Sequence, residues 1–248
     1  MTQILDQQVQ QGDPDRYLAT SLVQEPLKSS LLTLYAFNLE IARAPWTSAE
    51  TMIAEMRLQW WLDSIGDIFE GRGPRGHQVL EPLAALIKKH DLPRKLFDEM
   101  INARQFDIYK EPHADRVAFD QYIHATSSNI MELSALVLGA SDVEIVKVRQ
   151  VGYAMGVANL LRAAPELTAR GRVVLPENVT GLVADALGMA VARYDVSAAV
   201  RPAVLAGWRA VATLKTAQKS PESIQAGLLE ESPAWRRVSF WWARRFRR

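Results

Sequence analysis

The sequence predicts an all-α fold, organised as one helical domain over residues 1–248. Three observations predict it. Apolar residues recur at helical spacing through most of the chain. No alternating apolar–polar run of useful strand length interrupts them. Prolines at first helical positions, capping pairs and glycines fall between the periodic stretches, where helices start and stop.

Residues 1–12 are expected to be loose. Asp13-Pro14 then opens a helix carrying Tyr17, Leu18, Leu22 and Val23. Pro26 opens the next, which runs through Leu31, Leu34, Tyr35, Phe37, Asn38 and Ile41 towards Pro45. Thr47 and Glu50 have the spacing of a capping box. Behind them Ile53, Met56, Trp60, Trp61, Ile65 and Ile68 share a helical face. Gly71, Gly73, Pro74 and Gly76 make a surface turn. Helices over about 79–89 and 93–109 meet at residues 90–92. Another spans about 119–138 and ends at Gly139. Ser141-Asp142 caps a helix into the stretch GYAMGVANLLRAAPELTARGRVVLP, residues 152–176. Helices near 181–194, 201–219 and 232–246 finish the chain.

In residues 152–176 the small residues Gly152, Ala154, Gly156 and Ala158 allow close approach of a neighbouring helix or a ligand. Asn159 and Arg162 follow at helical spacing, and Pro165 is expected to stop or kink the helix. Then come a basic loop, Arg170-Gly171-Arg172, and a short β-branched run closed by Pro176.

Asn159, Arg162, the Arg170-Gly171-Arg172 triplet and Leu175-Pro176 resemble the signature of the squalene/phytoene synthase family. The resemblance implies a helical bundle of the isoprenoid (trans-prenyl-diphosphate) synthase type. It also implies a central apolar cavity, lined by the helices containing Tyr35, Tyr122 and Asn159. In active members two aspartate motifs hold Mg²⁺ against a substrate diphosphate. A gapless reading puts Ala163 and Leu167 in the second motif, and Ala42 and Trp46 in the first. The frame of the site is kept and its metal ligands are missing.

Other segments extend the resemblance over roughly residues 15–220. AFNLEIA and RLQWW are similar to the non-carotenoid branch of the family, which includes a mitochondrial complex I assembly factor. Arg104, Asp107, Tyr122, Ser127 and Ser128 resemble the family's middle helices. Asp63 and Asp67 form a D-x-x-x-D pair, but Glu55, Gln59, Asp63 and Asp67 make one polar stripe and read as a solvated face.

Composition sets the outer limits. Hydrophobic residues at 48% and charged residues at 23% are globular values. The chain has no cysteine, which excludes disulfides and thiolate metal sites. No window reads as a membrane-spanning helix, and MTQILDQQVQ does not read as a secretory signal. The net charge of +1 hides an asymmetry. Six arginines and no acid lie in residues 235–248, leaving 23 basic against 28 acidic residues elsewhere. That basic aromatic segment is expected to be a C-terminal helix with Trp235, Val238, Trp242 and Phe246 along one side. Such a helix suits an anionic membrane surface. The bland reading is a last helix whose tryptophans pack on the body. No nucleic-acid motif accompanies it, so nucleic acid is not expected as a partner.

The candidate binding residues are Tyr35, Asn38, Glu40, Arg57, Tyr122, Asn159, Arg162, Arg170 and Arg172; no catalytic or metal residue is assigned. The arginines suit a phosphate or carboxylate. An internal salt bridge competes for Arg57 and Arg162, and solvated loop charge for Arg170 and Arg172. Trp60 and Trp61 read as core. The histidines His77, His90, His113 and His124 have no ligand spacing. There is no phosphate-binding glycine loop and no nucleophile signature.

Two functions follow. The preferred one is a catalytically inactive relative, a lipid-binding or scaffolding factor at the membrane that serves respiratory complex I assembly. The other is a prenyltransferase that condenses or rearranges prenyl diphosphates. No cofactor is expected in the first case and Mg²⁺ in the second. Expected partners are an isoprenoid or other lipid, an anionic membrane surface and a protein. The expected location is the cytoplasm, peripheral on the inner face of the membrane.

Overall fold

The computed structural model describes residues 2–48, 50–191 and 195–246, and no strand occurs among them. The first helix, α1 (Thr2–Gly12), covers the segment expected to be loose. Leu5 and Val9, one turn apart, are buried and face α3 (Leu27–Arg43). Each such burial contributes roughly 1.5–3 kcal/mol, enough to order a short amphipathic helix. Next, α2 (Pro14–Thr20) is capped by Asp13, whose carboxylate accepts from the Arg16 amide at 3.1 Å. It ends before Leu22 and Val23.

After α3 the chain tightens into a 3₁₀ turn, Ala44–Trp46. The Thr47–Glu50 capping box does not form. The Thr47 hydroxyl donates back to the Ala44 carbonyl at 2.9 Å, and α4 (Thr51–Phe69) starts without a side-chain cap. Trp61 and Ile65 of α4 enter the core, but Met56 faces solvent. Then α5 (Leu80–His90) and α6 (Arg94–Ala103) follow. The helix expected over 93–109 breaks at Ala103 into a 3₁₀ turn, Arg104–Asp107. Side chains three apart eclipse there, which sets Arg104 beside Asp107 at 3.1 Å.

The expected 119–138 helix is three pieces: α7 (Arg116–Ile123), a π turn His124–Ser128, and α8 (Asn129–Val137). The long α9 (Asp142–Ala169) packs against the π turn, α8 and the helices that follow. Its Ser141–Glu144 capping box is present. Pro165 does not stop it. Buried Leu161 and Ala164 on the same face carry the helix across the proline. The small residues serve a helix neighbour. A Cβ on Gly152 would sit 2.7 Å from the Ser128 Cα, and one on Gly156 2.7 Å from the Ser127 Cβ.

The chain closes with α10 (Val179–Val191), α11 (Arg201–Leu205), α12 (Ala210–Lys219), α13 (Glu222–Gln225) and α14 (Pro233–Phe246). The helix expected near 181–194 thus starts earlier; residues 192–194 lie outside the described residues. The expected 201–219 helix is broken at 206–209. Here Gly207 lies against Val151 of α9, and a Cβ would meet it at 3.1 Å.

Candidate functional site

Between α3, α7, the π turn and α9 lies a cavity of about 290 Å³. Its walls include Asn38, Arg104, Asp107, His113, Tyr122, Asn159 and Arg172, with Arg16, Trp46 and Phe106 beside them. Polar and apolar groups share the lining, so the expected apolar cavity is corrected to a mixed one. The volume lies at the lower end of the roughly 300–1,000 Å³ of small-molecule pockets.

One hydrogen-bonded group organises the polar wall. The Tyr122 hydroxyl donates to Asp107 Oδ1 at 2.8 Å, and Arg104 Nη1 donates to Asp107 Oδ2 at 3.1 Å. Burial, and then the Asp107 carboxylate, push the Tyr122 phenol above its ordinary pKa. Burial holds His113 below the ordinary imidazole value, with Asp107 opposing. The His113 ring stacks on Phe106 at 3.9 Å.

Arg172 owes its place to the loop chemistry. Gly171 takes a positive φ of 77° and closes α9. The Gly171 amide donates to Thr168 O at 2.9 Å and the Arg172 amide to Leu167 O at 3.0 Å, the paired bonds of a Schellman end. The guanidinium of Arg172 then reaches the Asp107 and Tyr109 carbonyls, the latter at 2.9 Å, and lies 4.5 Å over the Trp46 ring. Two buried polar atoms on cavity-lining residues lack a partner among the described residues, Asn38 Oδ1 and Arg104 Nε.

The structure therefore brings Asn38, Tyr122, Asn159 and Arg172 together and leaves the other candidates elsewhere. Tyr35 is wholly in the core, with Arg16 5.7 Å over its ring. Glu40 and Arg57 line a separate groove with Trp60, Trp61 and His77, and Glu40 accepts from Gln8. Arg162 turns away from the cavity. It donates to Asn159 Oδ1 and to Thr213 Oγ1, and pairs with Glu230 at 3.4 Å and Asp15 at 3.8 Å. This is the internal salt bridge that competed for it. Arg170 is on the surface beside Glu166. Sequence reasoning missed Arg16, Phe106 and His113. The Asp13 cap beside Arg16 was a signal; His113 had none.

Of the four positions in place of the aspartate motifs, Ala163, Leu167 and Trp46 line the cavity and Ala42 does not. Asp107 is the one acid of the lining, and Arg104 and Tyr122 already occupy it. Octahedral Mg²⁺ needs several oxygen ligands, and these residues do not fit it. No cluster of three or more His, Asp or Glu suited to a metal occurs among the described residues. Asp63 and Asp67 sit on a surface face, where Asp67 pairs with Arg72 at 2.6 Å and Arg75 at 2.8 Å.

The sequence profile of squalene/phytoene synthases matches residues 9–238. Similar curated proteins include NADH dehydrogenase (ubiquinone) complex I, assembly factor 6, of Bos taurus and of Homo sapiens. Each is 27% identical over 168 residues, 67% of this chain and 50% of the relative. The Drosophila melanogaster homolog is 30% identical over 169 residues, 63% of this chain and 48% of its own length. The chain thus spans about half the length of the curated relatives it matches. Among solved structures, squalene synthase HpnC from Alicyclobacillus acidocaldarius superposes with a TM-score of 0.74 at 16% identity, covering 89% of this chain and 94% of that one. A dehydrosqualene synthase in complex with ligand gives 0.79 at 14%, covering 98% and 95%. The shared fold is the isoprenoid synthase bundle.

Proposed function

We propose, from the fact that the chain belongs to the squalene/phytoene synthase family, that it is a non-catalytic member acting as one domain in the assembly of respiratory complex I. The names of its curated relatives support the assembly role. One observation carries the loss of catalysis: Ala163, Leu167 and Trp46 line the cavity where the family pattern calls for carboxylates. Ionising an allylic diphosphate needs cations held by several carboxylates. Here Arg16, Arg104 and Arg172 share the wall with Asp107; Arg104 pairs with Asp107 and Arg16 with Asp13.

Such a wall favours an anion bound directly by guanidinium groups. The cavity takes the anionic head of an isoprenoid or other lipid without a metal. The domain works as a scaffold on the inner face of a membrane. No described helix is long and apolar enough to cross a membrane.

The test uses the full chain and farnesyl diphosphate. Binding is expected to survive a chelator, and diphosphate release with Mg²⁺ should be undetectable. Mg²⁺-dependent release abolished by Asp107→Asn, at the acid of the lining, reverses the reading in favour of a prenyltransferase. In the cell of origin, deletion should lower assembled complex I on native gels; unchanged complex I removes the assembly role.

A further inference from the structure

We infer that the outward face of α14 docks the protein on an anionic phospholipid bilayer. The inference rests on the membrane reading above and names its surface.

The helix is tied to the body along one side. Phe240 and Ala243 are buried against Leu205 and Trp208, with the Phe240 and Trp208 rings 4.9 Å apart. The Trp208 indole donates to Ser239 Oγ at 3.1 Å, and Arg236 lies 3.4 Å from Asp15. The segment is therefore a fixed element, and Trp235 and Trp242 also border the groove between it and Trp208, Arg209 and Glu231.

The opposite side is solvent-facing and chemically unusual. Trp235 is 56% exposed, Trp241 54%, Trp242 53% and Val238 42%. At 3.6 residues per turn they share the half of the helix away from Phe240 and Ala243. Exposed Arg245 lies among them, exposed Arg237 and Arg244 flank them on the Trp241 edge, and no acid occurs in 235–245. Of the expected stripe, Trp235, Val238 and Trp242 are on this side; the Phe246 side chain and residues 247–248 lie outside the described residues.

Exposed large aromatics lose free energy in water and gain it at a headgroup boundary, where the indole ring is half wet. Arginines on the same face match anionic headgroups and keep their charge in water while their stems lie flat. An acidic protein surface would answer the charges but leaves the need for a deep apolar layer unmet. The combination of exposed arginines and exposed tryptophans fits a bilayer.

The experiment is co-sedimentation of the full chain with vesicles of equal parts phosphatidylcholine and phosphatidylglycerol. Binding is expected at low salt, with a blue shift of tryptophan emission. High salt should release most of it and leave a remainder held by burial of the rings. Each arginine near such a surface contributes about fivefold in partitioning. The triple variant Arg237→Glu, Arg244→Glu, Arg245→Glu should thus lose at least on the order of a hundredfold, since the new carboxylates also repel the surface. Its circular dichroism should match the parent, since the three side chains are exposed. The pair Trp235→Ser, Trp241→Ser should keep salt-sensitive binding and lose the remainder. The inference is overturned if the parent ignores these vesicles at low salt, binds neutral phosphatidylcholine equally well, or binds duplex DNA in preference. It also fails if both variants bind as the parent does. Cavity binding is measured in solution without vesicles, so that reading and this one fail separately.

Discussion

Arg209→Met should be among the most damaging single changes outside the cavity. Arg209 is 3% exposed and sits at the centre of an internal ion cluster. It pairs with Asp15 at 3.2 Å, Glu230 at 2.9 Å and Glu231 at 3.2 Å. The cluster ties α2, α12 and the approach to α14, with Arg162 and Arg236 completing it. Removing one partner of a buried pair costs about 3–5 kcal/mol, because the other charge stays buried. Asp15 keeps Arg162 and Arg236, and Glu230 is half exposed, so the low end, about 3 kcal/mol, applies. For a chain of this length that lowers the melting midpoint by about 6–12 °C. The pH dependence sharpens the test. Burial already raises the Asp15 pKa above 3.8, and Arg209 is the largest influence opposing it. The variant raises it further. Between 3.8 and the raised value the folded state binds the extra proton, so stability falls as pH rises through that window. The gap between variant and parent should therefore narrow on acidification. Calorimetry and urea titration at several pH values measure both. A midpoint within about 2 °C of the parent, or a gap that widens in acid, would refute the reasoning.

Gly152→Val should destabilise by at least about 2 kcal/mol, because its Cβ alone meets the Ser128 backbone at 2.7 Å; urea unfolding reads this. Tyr122→Phe should cost about 1–3 kcal/mol by leaving Asp107 Oδ1 unpartnered, again by denaturant titration. Burial lowers the pKa of both His113 and His124 below 6.5. The unfolded chain then binds more protons, so their contribution is complete above pH 6.5 and is lost as pH falls below it. Replacing both by Gln should flatten the fall of the melting midpoint below that pH.

Helix content was legible because apolar spacing and capping chemistry are local. The Ser141–Glu144 box and the Asp13 cap needed no knowledge of the fold. The Thr47–Glu50 box had equal spacing and failed, since the Thr47 hydroxyl found a nearer acceptor in the Ala44 carbonyl. Helix α1 was not legible because what orders Leu5 and Val9 is α3, far along the chain. Pro165 misled for the same reason: tertiary burial outweighed a local breaker. The signature motif located the cavity through Asn159 and Arg172, yet it could not separate Arg162 from them. Arg162 and Asn159 are one helical turn apart, and the presence of Asp15 and Glu230 on one side decides which way the guanidinium points.

The signature survives here for reasons that do not require catalysis. Gly171 supplies the left-handed residue that ends α9, and Arg172 fastens that end to the Asp107 and Tyr109 carbonyls. Asn159 accepts from Arg162, which enters the ion cluster around Asp15. These residues therefore hold the bundle whether or not a ligand is bound. Aspartates at 163 and 167 would have no such duty. They would face the cavity without a structural partner, and without a cation to hold they would only repel each other and Asp107. On the reading proposed above, a wall with Arg104 and Arg172 and without those carboxylates would neutralise an anion directly, with no bridging cation.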